Sequence, residues 1–195
     1  MDNEAVSLAV AAYTELYGPP TRIIHFSRAE PIFCECAVVA YIPDDAERLD
    51  PAGNVTLMGT AGFGSLELCV DFPCELGIEV RGVIGEDSVV RLAKALIDLA
   101  MLSLGNGKPF DDGQIISNLS LPVFSRFASA MLVDWDPVYG FRFPEPLPEI
   151  GLLRVVPLFP EEVAYLESSV DRRAAYRDLV NRGMDDMDPG RGPSV

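Results

Sequence analysis

The sequence predicts an α+β protein in which helices cover a mixed, mostly antiparallel sheet within a single domain. Apolar residues recur every three or four positions in two segments, and they alternate or run together in several shorter ones. These patterns follow one another as helix, strands, long helix, strands and short helices, an order typical of helices packed on a sheet. The length of 195 residues suits one domain.

The first half of the chain predicts one helix and three strands. Residues 4–17 place apolar side chains on one helical face, and Gly18 with two prolines ends that helix. The stretch FCECAVVAYIP, residues 33–43, is rich in Val, Cys and aromatic residues and predicts a strand. In VTLMGTAGFGSLELCVDFP, residues 55–73, two strands are joined through glycines, and the second alternates apolar and polar residues over 66–72.

The second half predicts the longest helix, three short strands and two short helices. Helical spacing runs from residue 86 to 104, and Leu96 and Ile97 are expected beneath the sheet. Pro160 followed by two glutamates is typical of a helix start, and Asp171 can cap a last helix. The three predicted strands are GQIISNL, FASAMLVDW and LLRVVPLF.

The last twelve residues, MDDMDPGRGPSV, are rich in polar residues, Pro and Gly. Such a composition predicts a segment that builds no core. The expected organisation is therefore a domain over residues 1–183 and a polar C-terminal tail over 184–195.

The charge of the chain argues against nucleic-acid and membrane partners. Fifteen Lys and Arg against thirty Asp and Glu give a formal net charge of −15, which nucleic acid and anionic lipid repel. No apolar run reaches the roughly 18 residues that a membrane span needs, and the N-terminal MDNEAVSLAVAAY is acidic where a signal peptide is basic. The sequence predicts a soluble cytoplasmic protein.

The glycines of GTAGFGSLEL resemble a phosphate-binding loop only superficially. Their spacing is G-x-x-G-x-G, and a predicted strand follows where a nucleotide site needs a helix N-terminus. Lys108 is followed by Pro109 where a phosphate loop has Ser or Thr. No nucleotide cofactor is expected.

Candidate catalytic groups are few. His25 is the one histidine and lies in the apolar stretch RIIHFS, without a nucleophile motif. The four cysteines, Cys34, Cys36, Cys69 and Cys74, have irregular spacing for zinc, and three of them lie in strand-like runs. Reduced thiols without metal are expected, and no cofactor. A small hydrolase or redox enzyme that uses His25 or the cysteines is the alternative from the enzyme class.

Several segments together resemble the suppressor-of-fused domain family. LLRVVPLFPEEVAYL is similar to that family's last core strand, which ends in a Pro-Leu pair and leads into its C-terminal helix, and DPGRGPSV is similar to its short Arg-containing ending. Upstream, YGPPTRIIHF resembles its N-terminal helix and His-bearing strand, the glycine segment resembles its Thr-Gly turn, and VVRLAKALIDLAML resembles its long helix. The resemblance extends over nearly the whole chain.

The resemblance implies a binding protein without catalysis. Stand-alone bacterial members of the family resemble immunity proteins that neutralise polymorphic toxins, and a negative charge agrees with a basic toxin domain as the protein partner. An intracellular scaffold without a toxin partner fits the same sequence. The acidic loop DDAERLD supplies candidate partner-binding residues, namely Asp44, Asp45, Glu47 and Asp50.

Overall fold

A computed structural model describes residues 4–28, 34–43, 54–64, 74–106, 108–135, 142–145, 147 and 149–195. Four helices and seven strands are found in these ranges. In chain order they are α1 (Glu4–Tyr17), β1 (Arg22–Arg28), β2 (Cys34–Tyr41), β3 (Val55–Ala61), β4 (Cys74–Arg81), α2 (Glu86–Asn106), β5 (Ile115–Ser117), β6 (Ser129–Asp134), β7 (Gly151–Leu158), α3 (Pro160–Ser168) and α4 (Arg172–Asn181).

All seven strands form one sheet in the order β1-β2-β3-β4-β7-β6-β5. The pair β4–β7 is parallel, and every other pair is antiparallel. The parallel pair arises because α2, β5 and β6 intervene between β4 and β7, and parallel neighbours need a long crossover. The predicted α+β class with a mixed, mostly antiparallel sheet is confirmed.

Helix α2 covers one face of the sheet and forms the largest core. Leu96 and Ile97 are fully buried in this cluster, together with alternate residues of β2, β4 and β7 such as Val38, Ile78 and Val155. The alternation follows from the strand period of two, because every second side chain points to the same face.

The other face of the sheet is covered at its two sides by different helices. Helix α1 packs Ala12 and Tyr13 against β2, whereas α4 packs Tyr176 and Leu179 against β6 and β7. On this face, between α1 and α4, strand β4 presents three charged side chains and one glycine: Glu75, Gly77, Glu79 and Arg81.

Several predicted elements agree closely with the structure. Helix α1 spans the predicted residues, and α2 runs two residues further than predicted, to Asn106. Asp171 caps α4 as expected, because its Oδ1 accepts hydrogen bonds from the backbone N–H groups of Arg173 (2.9 Å) and Ala174 (3.1 Å). In the described part of the chain, no helix combines the length and apolarity that crossing a membrane requires.

One predicted strand and one observed strand do not coincide. The strand predicted over 66–72 lies outside the described residues, and the described strand β4 begins at Cys74, directly after Pro73. The predicted alternation ended at Phe72, and Pro73, which cannot donate to a ladder, follows it in the sequence. The alternation of apolar residues nevertheless continues beyond it as Leu76, Ile78 and Val80.

The expectation that residues 184–195 build no core is wrong. Met184 is 5% exposed and packs in the α4 cluster, and Asp186 and Arg191 are also buried. The physical reason is that ion pairs and aromatic contacts anchor this segment, and composition alone does not register them. Arg81 N–H also donates to the Met187 carbonyl at 2.8 Å, which ties the segment to the end of β4.

Leu96→Ala tests the α2 core. We expect a loss of about 2–5 kcal/mol in the free energy of unfolding, because a fully buried leucine leaves a cavity. Denaturant titration followed by the fluorescence of Trp135, the one tryptophan, gives the measurement. Leu102→Ala on the same helix is the control, since Leu102 is 42% exposed and its change is expected to stay within about 0.5 kcal/mol. Equal losses for the two variants would contradict the packing of α2.

Candidate functional site

The first arranged polar cluster is an ion pair between Glu162 and Arg191, both buried. Arg191 donates from both terminal nitrogens, Nη1 to Oε1 at 2.5 Å and Nη2 to Oε2 at 2.9 Å. The backbone N–H of Phe159 donates to Oε2 at 2.9 Å and that of Ser194 to Oε1 at 3.0 Å. The carboxylate therefore accepts four hydrogen bonds, which offset much of its desolvation.

Aromatic rings enclose the guanidinium of Arg191. Its carbon lies 5.0 Å from the ring centre of Phe127 and 5.3 Å from that of Phe159, within the range of cation–π attraction. Nη2 also donates to the Pro157 carbonyl at 2.9 Å, and Arg126 donates to the backbone carbonyl of Arg191 at 3.1 Å. The pair thus joins the end of β7, the start of α3 and the chain terminus, and its role is structural.

The second cluster surrounds the fully buried carboxylate of Glu75 on β4. Thr60 donates its hydroxyl to Oε2 at 2.6 Å, and the backbone N–H groups of Gly62 and Gly64 donate to Oε1 at 2.9 Å each. Gly62 has φ of 108°, a conformation that favours glycine and lets the turn aim its N–H groups inward. The glycines that resemble a phosphate loop thus bind the chain's own carboxylate.

Burial raises the pKa of Glu75 above the usual glutamate value, although its hydrogen bonds with Thr60 and the glycine turn act in the opposite direction. The fully buried Tyr13 lies close enough for the Glu75 charge to raise the tyrosine pKa further, after burial itself. Donors of the chain itself occupy both oxygens of Glu75, so this cluster also has a structural role.

The third cluster links β4 and β7 to the C-terminal segment. Arg154 donates to Glu79 at 2.8 Å and to Asp186 at 2.6 Å, and it also contacts the hydroxyl of Tyr176. Arg81 pairs with Asp185 at 2.5 Å. These contacts fill the middle of the sheet face that α1 and α4 leave uncovered.

Two glycines opposite each other on β3 and β4 make room for an aromatic layer on the same face. Gly59 pairs with Gly77. A Cβ at Gly59 would lie 2.4 Å from the Tyr13 hydroxyl, and one at Gly77 would lie 2.5 Å from the Trp135 ring. The two rings therefore approach the backbone as closely as only glycine permits, and the side chain of Trp135 hydrogen-bonds Tyr17.

An open groove of about 400 Å³ lies beside this layer, and we refer to it as the tyrosine groove. Its walls include Tyr17 at the end of α1 and Tyr41 at the end of β2, whose ring centres are 5.7 Å apart at an interplanar angle of 60°. Its lining residues are Tyr17, Pro19, Thr21, Tyr41, Ile42, Pro43, Val55, Leu57 and Glu79.

Both tyrosines of the groove have pKa values raised to about 12. For Tyr17 the main cause is burial, followed by the negative charge of Glu79. For Tyr41 the main cause is again burial, followed by Tyr17. Both side chains are therefore neutral phenols at physiological pH, and their rings present an uncharged aromatic surface.

The structure does not test the predicted partner-binding residues. Asp44, Asp45, Glu47 and Asp50 lie outside the described residues. Pro43, which precedes them directly in the chain, lines the tyrosine groove.

The candidate catalytic groups are not brought together in the described residues. His25 lies exposed on the edge strand β1, in register with Ala37. Cys36 is buried and its thiol donates to the Phe26 carbonyl at 3.9 Å, whereas Cys74 is half-buried. Within the described ranges no three His, Cys, Asp or Glu residues are arranged to hold a metal ion. The absence of a metal and a cofactor stays a prediction, since Cys69 lies outside those ranges.

Solved structures with the same arrangement of helices and strands identify the fold. A SUFU (suppressor of fused protein) homologue from Neisseria gonorrhoeae FA 1090 superposes with a TM-score of 0.71 at 15% identity, over 98% of this chain and 97% of that one. The chain has the suppressor-of-fused fold. Suppressor of Fused from Drosophila matches this fold with a TM-score of 0.67 at 12% identity, over 97% of this chain and 51% of that one.

A third structure with the suppressor-of-fused fold is a protein complex. In the Sufu–Fu complex the matching chain has a TM-score of 0.65 at 12% identity, over 97% of this chain and 92% of that one. No protein-family model matches the sequence, and neither does any curated protein. The resemblance drawn from short motifs is therefore confirmed at the level of the fold.

Sequence reasoning missed the residues that organise the site. Arg191 is in a segment predicted to be a polar tail. Glu75 directly follows Cys74, which was considered as a metal ligand. Tyr17 and Tyr41 are separated by β1 and most of β2, so nothing in their spacing indicates contact. The pair of glycines, Gly59 and Gly77, was one available signal, but it marks a close approach on neighbouring strands only once the register is known.

Arg191→Met tests the buried ion pair. The methionine keeps apolar contact with Phe127 and Phe159 but leaves the Glu162 carboxylate buried without its cation, so we expect a loss of about 3–5 kcal/mol in unfolding free energy. Adding Glu162→Gln should restore part of that loss, since a neutral amide oxygen can still accept from Phe159. Arg182→Met is the control, because it breaks an exposed pair with Asp178 and should cost at most about 1 kcal/mol. A loss no larger than the control's would show that the pair is dispensable.

Glu75→Gln tests the raised pKa of the buried carboxylate. The native state holds the Glu75 proton to higher pH than the unfolded state does, so stability falls as pH rises from about 4.3 to the raised value. The glutamine variant lacks this contribution. The unfolding free energy of the native chain minus that of the variant should therefore decrease over this window and then level off. A difference that increases with pH for Glu75→Gln would contradict the assignment.

Proposed function

We propose that the protein is a non-catalytic binding domain and that it acts as an immunity protein, neutralising a basic toxin domain. The observation that carries the proposal is the tyrosine groove. It is an open surface with two aromatic rings and one carboxylate, on a chain with a net charge of −15. Protein-binding surfaces combine aromatic residues with complementary charge in this way.

The arrangement of the buried carboxylates supports binding over catalysis. Glu75 and Glu162 are both fully buried, and donors of the chain itself occupy their oxygens. A general base needs an acceptor within reach of a substrate proton. His25 makes no side-chain hydrogen bond to a described residue that could orient it as a base, and this favours binding over the hydrolase alternative.

The charge of the chain supports a cationic partner. Acidic surfaces attract a basic protein over distances near the Debye length of about 8 Å and speed its association. The acidic loop that contains Asp44, Asp45, Glu47 and Asp50 follows the groove residue Pro43 in sequence. We therefore keep these carboxylates as proposed contacts with the partner. Neutralising a toxin inside the cell requires a cytoplasmic protein, and the proposal includes that location.

Co-expression with the product of an adjacent gene that encodes a basic toxin domain tests the proposal. The two chains should co-purify, and raising the salt concentration should slow association on the order of tenfold while dissociation changes little. The double variant Asp44→Lys/Asp45→Lys should lower the association rate. Asp98→Lys/Glu167→Lys is the matched control, because it changes the net charge equally at exposed positions on α2 and α3.

Two results would contradict the proposal. One is the absence of any co-purifying protein together with a hydrolytic activity that disappears in His25→Ala, which would favour the enzyme alternative. The other is a stable complex with a protein that has no toxic activity, which would favour a scaffold and leave the binding function in place.

A further inference from the structure

The tyrosine groove has a floor that crosses three strands. Tyr41 on β2 is in register with Leu57 on β3, and Leu57 is in register with Glu79 on β4. The rings of Tyr17 and Tyr41 stand at 60° to each other above this row. Two aromatic walls at an angle, with a carboxylate along the same row, form an open corner with space for a flat side chain.

The groove carries a net negative charge. Among the nine described residues that line it, Glu79 is the charged one. Glu79 shares the guanidinium of Arg154 with Asp186, at 2.8 and 2.6 Å. One cation therefore serves two carboxylates, and the three groups together keep a formal charge of −1. Because Glu79 is only 23% exposed, water screens this charge less than it would on an open surface.

The hydroxyl of Tyr41 is shielded from solvent and has no hydrogen-bond partner among the described residues. The hydroxyl is thus out of reach of a ligand in this arrangement, which leaves the ring faces and the Glu79 carboxylate as the contacts that the groove offers. The two rings and the carboxylate together favour a ligand that is flat and cationic.

We propose that the tyrosine groove binds an arginine side chain presented by the partner protein. The guanidinium packs against the Tyr17 and Tyr41 rings and balances the charge of Glu79. This assignment rests on the proposed binding function and names the chemical group that the partner contributes.

Arginine fits the groove better than other side chains because of its shape, its charge and its weak hydration. Its planar guanidinium stacks on aromatic faces and carries five N–H donors, whereas the lysine ammonium is compact and more strongly hydrated. Cation–π attraction requires a positive charge, which a neutral analogue of the same shape lacks. Acidic side chains and phosphate are disfavoured by Glu79.

Fluorine NMR of protein labelled with 3-fluorotyrosine tests the proposal directly. The chain has six tyrosines, and Tyr17→Phe and Tyr41→Phe assign the two groove resonances. The probes are N-acetyl-arginine methylamide, its lysine counterpart and the citrulline counterpart, which is a neutral isostere of arginine. We expect saturable shifts of the Tyr17 and Tyr41 resonances with arginine, weaker shifts with lysine and none with citrulline.

Two variants locate the interaction. Glu79→Gln removes the charge, and its amide oxygen can still accept from Arg154, so the affinity for the arginine probe should fall roughly tenfold. Tyr17→Leu keeps apolar bulk without an aromatic face. It should weaken binding of the arginine probe to a similar extent, measured from the shift of the Tyr41 resonance. Asp98→Asn removes a carboxylate on α2, which covers the opposite face of the sheet, and should leave the affinity unchanged. Thermal melting verifies that each variant is folded.

The outcomes separate this inference from the proposed function. Absence of an arginine-dependent shift at both tyrosines, or an equal response to citrulline, overturns the groove assignment even where a partner co-purifies. A partner that binds Glu79→Gln and Tyr17→Leu as tightly as the native chain overturns it as well. A charge-dependent response that is confined to the groove supports it, whatever the identity of the partner.

Discussion

The buried pair of Glu162 and Arg191 constrains the fold more than any other described interaction. An isolated ion in a protein interior costs several kcal/mol, so each of the two residues can be buried only with the other in place. Arg191 reaches Glu162 only when the chain terminus lies over the junction of β7 and α3. Phe159 is the N-cap residue of α3, so its N–H has no partner inside the helix, and Glu162 satisfies it. The position of the terminus, the start of α3 and the end of β7 therefore depend on one another.

Glu75 on β4 is a second buried carboxylate whose charge is stabilised by hydrogen bonds from the chain itself. Strand β4 is the parallel neighbour of β7, which leads to the Glu162 pair. A carboxylate on β4 takes hydrogen bonds from the turn that ends β3, so the turn is fixed by a residue of the neighbouring strand. Converging backbone N–H groups attract any anion, whether it is a phosphate or a carboxylate of the same chain. The sequence pattern of glycines cannot distinguish these cases, because the difference lies in which anion the fold brings there.

Local patterns predicted the elements well and the long-range contacts poorly. Spacing of apolar residues located α1 and α2 because one buried stripe determines a helix, and Asp171 was found because a cap acts within three residues. The role of Arg191 could not be read in the same way, since its partner is 29 residues earlier and its neighbours are polar. Tyr17 and Tyr41 come together because α1 ends above the end of β2, which depends on how the sheet is assembled. The candidate site was therefore not predictable from the motifs, although the fold was.

The location of the tyrosine groove follows from the alternation along β4. One face of this strand presents Leu76, Ile78 and Val80 to α2, and the other presents Glu75, Gly77, Glu79 and Arg81. An apolar helix stripe cannot pack on a charged row without leaving those charges unpaired. The second face is consequently covered by other groups. The glycine turn covers Glu75, and Trp135 covers Gly77. The C-terminal segment supplies Asp185 for Arg81 and Asp186 for Arg154. Towards β2 these contacts end at Glu79, and the sheet between that carboxylate and Tyr41 forms the open groove. The charges that exclude a helix from the middle of this face thus also create the surface that a cationic partner can use.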